Sequence, residues 1–466
     1  MEFLFTQTPL KFFAQDFWRD EAFSYILSQQ PLTDLLRLTA GDFNPPLYYI
    51  LLKYWSMIVG HSEIALRSLS LIFFAITLVF IYETFLNVFK FSQKKAFIYI
   101  AFVAWNPFLL YYAFEARMYM MITCLATISF YAFLQKHKKL YILTAALGLY
   151  THYFMIFVIA TQFLYRFGPT LYQRFIKKIK SKEKVSAFPT FTYFLIIGLL
   201  WLPWVIYLIT QHNFAGSGDF WIVRPPLKDI FYVPFVLYTG YERVLGLYYH
   251  GKAGYTSFHT LFNTIMIAIM LLPLLITKFN QKKKQNHHLL TLNKHLSHEH
   301  IQLFVLWAFF TPYLLIILSY VVQPFYLPRY FIFCTPGLLI LLVWCIEKLP
   351  RVPKIVVFVL LVWMTQQFHT ANLEYRHKKS VSKAYKEIRE VIKPGDMIYT
   401  NDLDYFLARY YLPDAEVKIY ERPYDSLASY VGKSLIPRDA VTLRLPYYPY
   451  KAFMIYHDWY EVKSQY

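Results

Sequence analysis

Long apolar runs separated by short basic loops constrain this chain more than any other feature. Runs near 65–89, 96–113, 117–134, 188–210, 258–279, 301–322, 329–347 and 353–370 reach the roughly 18–20 residues that cross a bilayer. Hydrophobic residues make up 57% of the 466 positions, more than a soluble interior of this size can hide. The expected class is a polytopic membrane protein. The net charge of +19 resides in the loops. That is the pattern of Lys/Arg retained on the cytoplasmic side, and no compact basic domain is present to hold nucleic acid. Cys124, Cys334 and Cys345 fall inside apolar runs and are expected to be packing residues.

Loop charge also sets a topology. The basic loops are Lys90/Lys94/Lys95, Lys136/Lys138/Lys139, 166–184, 278–294 and Lys348/Arg351/Lys354, and each should be cytoplasmic. Segment 140–165 lies between two of them, so it must enter and leave on one side. It should break at Tyr150-Thr151-His152-Tyr153, and broken backbone at membrane depth survives only against protein or a wet cavity. Residues 45–60 are too short to cross and should form a juxtamembrane helix lying on or dipping into the outer leaflet. Parity then gathers Asp20, Glu21, Asp42, Glu115, Arg117, the 211–257 loop, Arg329 and the tail from 371 on the outer face. A span is expected upstream of Asp20, and residues 1–64 do not contain one. The chain divides into 1–64 (a first outer loop with juxtamembrane helices), 65–370 (the membrane domain) and 371–466. The last part is polar and mixed, with a helix at 381–392, a Lys393-Pro394-Gly395-Asp396 turn and a short strand at 397–400, the pattern of a small extracytoplasmic α/β domain.

Ionisable residues kept beside a bilayer are costly and usually functional. The strongest group is Trp18-Arg19-Asp20-Glu21-Ala22, followed by Asp42 and by Asn44-Pro45-Pro46-Leu47-Tyr48-Tyr49. Downstream come Glu63-Ile64-Ala65-Leu66-Arg67, Asn106-Pro107-Phe108 leading to Glu115-Ala116-Arg117, Tyr150-Thr151-His152-Tyr153, and Pro328-Arg329-Tyr330. In this order they resemble the motifs of bacterial membrane glycosyltransferases related to the protein O-mannosyltransferases, a GT-C class. The resemblance covers most of 15–350. It departs at Asn44, where the family usually carries His, and that puts metal binding there in question.

The resemblance implies an all-α polytopic GT-C-like fold of about 10 or 11 helical segments. It also implies transfer of a sugar from a polyprenyl-phosphate donor to an extracytoplasmic protein, lipid or polysaccharide acceptor, in what is expected to be a bacterial cytoplasmic membrane. An Asp in the first outer loop is the family's base, and it maps onto Asp20. The chemistry agrees: a glycosyl phosphate carries its own leaving group, so one base and cations for the departing phosphate suffice, with inversion. Asp20 or Glu21 could instead cap the helix that follows. Arg117 and Arg329 are candidate phosphate ligands, because a guanidinium holds its charge and binds oxygens in pairs; the alternative is snorkelling at a helix end. Glu115 would orient or neutralise Arg117. His152 could bind phosphate, a metal or the acceptor, or be a packed histidine at a helix break. Asp42 could support the base, bind the acceptor or a metal, or be a turn residue after Gly41. A divalent ion is the one cofactor these carboxylates would admit, with no closed ligand set readable. Arg67 is expected to anchor its helix at the interface, and Trp221 with Pro225-Pro226 to shape a lid. Asp402-Leu403-Asp404 imitates a nucleotide-sugar motif in a tail too short for that fold, and the histidine-rich run 287–300 is expected to be a solvated loop. The rival class is a transporter or flippase, which would place charges at the bilayer midplane and show paired repeats.

Overall fold

A computed structural model describes residues 2–42, 44–175, 188–211, 221–242, 253–283, 298–376, 378 and 380–465. Five helices among them are long and apolar enough to cross a membrane: Glu63–Asn87, Phe191–Gln211, His300–Val321, Pro328–Glu347 and Arg351–Glu374. The segment expected as one span at 96–113 is instead two helices, Gln93–Ala104 and Pro107–Ala113, bent by 69°. The cause is local. Asn106 accepts the Leu109 amide with its side-chain oxygen, and Pro107 has no amide to continue the first helix, so a new helix starts there. The run at 117–134 becomes Tyr119–Leu134, too short to count as a span and almost wholly buried. Hydropathy alone does not separate a lipid-facing helix from one buried among its neighbours. Pro328–Glu347 is the central helix, with 83% of its apolar window inside the protein, whereas Phe191–Gln211 has 11% and faces outward.

The break expected in 140–165 is present: Lys138–Leu149 ends, residues 150–154 turn, and Met155–Phe175 begins. Its Tyr150 carbonyl accepts the Leu47 amide at 3.0 Å, which seats the short helix Leu47–Val59 against the break. Two distant motifs thereby share one neighbourhood.

The C-terminal part is an α/β unit, as its composition suggests. Strands β1 (Met397–Thr400), β2 (Val417–Tyr420), β3 (Val441–Thr442), β4 (Ala452–Tyr456) and β5 (Trp459–Lys463) form one sheet in the order β3-β2-β1-β4-β5. All pairs are parallel except β4 with β5. One face, with Ile398 and Ile419, joins the main core together with Phe406 of helix Tyr405–Tyr411, and the Phe406 ring meets Phe23 edge-on at 5.3 Å. The unit is thus docked on the N-terminal segment.

Candidate active site

Helix Arg19–Ser28 presents two adjacent carboxylates with opposite environments. Glu21 is fully buried and receives five donors. Arg67 Nε and Nη2 donate at 2.7 and 2.8 Å, Lys378 Nζ at 2.7 Å, and the amides of Trp18 and Ala116 at 2.9 Å each. Burial by itself would raise its pKa; Arg67 and Lys378 outweigh that and hold the carboxyl well below its usual range. Glu21 therefore takes the capping role, since the Trp18 amide is one of the helix's orphan donors. Asp20 is left for other work: its side chain is 39% exposed, and Oδ2 accepts from Arg329 Nη1 at 3.3 Å.

Arg67 does not sit at the interface as its position suggested. It is fully buried, and besides Glu21 it donates to the carbonyls of Phe13, Gln15 and Asp16, fastening the N-terminal segment to helix Glu63–Asn87. A buried guanidinium with five acceptors spread over two segments acts as a staple; no exposed site offers such a set.

Two other arginines flank Asp20. Arg117 Nη1 donates to the Asp20 carbonyl at 3.3 Å and to Ser24 Oγ at 3.0 Å. Arg329 bridges Asp20 and Glu242, with Nη2 at 3.2 Å from Glu242 Oε2, and lies 5.7 Å from the centre of the Trp221 ring. The Nε–H of each arginine is buried and has no hydrogen-bond partner among the described residues. A buried donor without an acceptor is costly and calls for a ligand.

Glu242 escaped the sequence reading. It is buried, accepts from Tyr112 at 2.9 Å, and follows Gly240, whose φ of +66° makes the turn. A side chain at Gly240 would also collide with the Phe108 ring, 2.1 Å from where its Cβ would lie. Asn106 holds this turn by donating to the Tyr238 carbonyl at 2.8 Å. No local signal marks Glu242, because its role depends on Arg329, 87 residues away.

Glu115 is buried beside this group, and burial raises its pKa, opposed by Lys378 and reinforced by Glu21. It does not pair with Arg117; its carbonyl is held by Ser70 Oγ at 2.6 Å. His152 is buried at the break, and its Nδ1 accepts the Phe154 amide at 3.1 Å, which leaves Nε2 as the protonated nitrogen. Its ring lies 6.3 Å from Tyr119 and 5.9 Å from Tyr330. Asp42 accepts from Asn44 at 3.1 Å. The buried Tyr49 hydroxyl has no hydrogen-bond partner among the described residues and lies within electrostatic reach of Arg117, Asp42, Tyr119 and Asp20. Among the described residues no three His, Cys, Asp or Glu converge, and Asp20 turns to Arg329 rather than to a second carboxylate. No step is assigned to a divalent ion.

A cavity of about 290 Å³ opens next to Glu242, lined by Trp221, Pro225 and Pro226 together with Tyr232, Phe235 and His259. The segment expected as a lid does wall a cavity beside Arg329. Asp402 and Asp404 are structural. Asp404 has a fully buried side chain held by Arg19 at 2.7 Å, His457 at 3.2 Å and Asn401 at 3.1 Å, and Asp402 pairs with Arg422 at 2.8 Å. Asp404 thus ties the α/β unit to the residue preceding Asp20. Burial would raise its pKa, but His457 and Arg19 hold it low. A depressed carboxyl stabilises the fold above its unfolded pKa of about 3.9, and that stability is lost as pH falls below it. Asp404→Asn should therefore be less stable near neutrality and should flatten the acid limb of a thermal-unfolding profile. An unchanged acid limb would count against the clamp. Of the histidine-rich run, only the His300 side chain lies within the described residues.

The sequence model of the dolichyl-phosphate-mannose-protein mannosyltransferase family matches residues 44–204, a stretch that contains Glu115, Arg117 and His152. Two crystal structures of ArnT from Cupriavidus metallidurans share the fold, each at 11% identity and a TM-score of 0.57. The apo structure aligns over 94% of this chain and 88% of its own, and the structure bound to undecaprenyl phosphate over 96% and 90%. No curated protein matches the sequence. The family resemblance read from the motifs and the expected helical membrane fold with its small α/β unit are both borne out.

Proposed function

We propose that this chain is a PMT-like GT-C membrane glycosyltransferase that moves one sugar from a polyprenyl-phosphate donor to an extracytoplasmic acceptor with inversion. The observation that carries this reading is the pairing of one accessible carboxylate, Asp20, with two buried guanidiniums that each keep an N–H unpartnered among the described residues. The undecaprenyl phosphate bound by ArnT supports a donor of the same chemical class.

The phosphate oxygens of the donor meet Arg329 and Arg117. In doing so they compete with Asp20 for Arg329 and free its Oδ2 for the acceptor. Asp20 takes the proton of the acceptor hydroxyl as that oxygen attacks the anomeric carbon. The bond from the anomeric carbon to the phosphate oxygen breaks, and the charge left on the polyprenyl phosphate is met by the two arginines. Glu242 and Tyr112 hold Arg329 from behind, and Glu21 holds Asp20 and the 115–117 segment in register. The Tyr49 hydroxyl and His152 Nε2 serve to orient substrate.

The test is transfer of label from a radiolabelled polyprenyl-phosphate hexose in reconstituted membranes, for wild type and Arg329→Ala. Wild type should move label to a new acceptor. The variant should lose donor affinity by about tenfold or more, the equivalent of one charge-assisted contact. Arg329→Lys should rescue poorly, because an ammonium cannot bridge two acceptors as a planar fork does. Movement of the donor across the bilayer with no glycosidic bond formed would instead establish a transporter.

A further inference from the structure

The sheet of the C-terminal unit has a second face, turned away from the helices that dock it on the membrane domain. Here Tyr399, Ala452 and Met454 form a separate small cluster, covered by Met397, Tyr420 and Leu445. Between this face and the segment 443–450 lies an open cleft of about 500 Å³, lined by Tyr399, Tyr447, Tyr448 and Tyr450 together with Lys418 and Arg444. Tyr447 and Tyr448 are 66% and 65% exposed, an unusual cost for large rings that have a core available.

The rings are held in place. Tyr450 packs against Gly395, so close that a Cβ there would sit 2.2 Å from the ring, and the φ of +92° at Gly395 also favours glycine. The Tyr448 amide donates to the Gln465 carbonyl at 2.8 Å, and the Lys451 amide to Asp396 Oδ1 at 2.8 Å, so the segment is anchored on both sides. Lys418 is engaged by Glu416 at 2.9 Å and by the Asp439 carbonyl at 2.8 Å. The Arg444 guanidinium is exposed and forms no ion pair among the described residues.

We propose that this cleft binds an acidic oligosaccharide. Sugar rings present C–H faces that stack on aromatic rings, and a tyrosine adds a hydroxyl for hydrogen bonding at little loss of conformational freedom. A uronate or phosphate group on the glycan gives Arg444 the planar or multidentate partner it lacks. Four tyrosines lining one cleft with a cation beside them suit several linked sugars better than one. Resting on the transferase reading, the glycan held here is the polymeric acceptor, retained while its end reaches Asp20. Binding itself does not depend on that reading.

The full chain in lipid nanodiscs is titrated with a hexasaccharide of galacturonic acid and, separately, with maltohexaose. The acidic probe should bind at least about tenfold more tightly. Arg444→Ala and Tyr448→Ala should each weaken it by a similar factor while leaving thermal unfolding and transfer to a small acceptor as in wild type. No binding of the acidic probe, equal binding of the neutral one, or binding untouched by both variants overturns the proposal. Hydrogen exchange supplies a further arm. Protection of 443–450 by the bilayer alone, compared with detergent, would assign the tyrosines to lipid and overturn it as well. Loss of all transfer by wild type would fault the transferase reading and leave the binding result standing.

Discussion

Asp20→Asn should lower transfer by about 10²–10⁴-fold, the range by which a positioned general base contributes. Its polyprenyl-phosphate donor affinity should be unchanged or higher. The separation of the two effects follows from geometry. Asp20 Oδ2 occupies one end of Arg329 at 3.3 Å, so the neutral amide relaxes the competition that donor phosphate otherwise faces. The fold should tolerate the change, because the carboxylate is partly exposed and the helix cap belongs to Glu21. Donor binding by equilibrium dialysis and turnover with labelled donor, on the same preparation, measure the two quantities. Full turnover by a folded Asp20→Asn protein would remove Asp20 as the base.

Glu21→Gln, one residue along, should behave in the opposite way, by loss of the fold. The amide leaves Arg67 and Lys378 as buried cations facing one neutral group, and breaking such a pair costs about 3–5 kcal/mol. Thermal unfolding in detergent should show a large drop, with activity falling because the 115–117 segment and the N-terminal backbone lose their common anchor. Adding Lys378→Gln to Glu21→Gln should recover part of the loss, since one uncompensated charge is removed. Wild-type unfolding of the single variant would mean that the five-donor arrangement around Glu21 adds little.

Much of this was legible in the chain itself. Runs of apolar residues marked the membrane class, and the parity of the basic loops required a break in 140–165, which falls at residues 150–154. The strand at 397–400 announced itself by a Pro-Gly turn followed by apolar residues. These are properties of neighbouring residues, and hydropathy, charge and turn chemistry act over a few positions. The motifs also collected Asp20, Arg117 and Arg329 as site candidates, and the fold brings them together.

Adjacency in sequence could not say which of Asp20 and Glu21 would be buried. Glu21 is selected by partners 46, 95 and 357 residues away, and burial of a carboxylate is tolerable only where such partners meet it. The same reason hid Glu242, turned Arg67 from an interfacial anchor into a buried staple, and made Asp404 a clamp beside the site. Sequence by itself determined that the chain is a membrane protein and which charged residues are candidates for its chemistry. Tertiary structure alone decided which charges are spent on holding the site and which remain to act, because the stability of a buried charge depends on groups that only folding brings near.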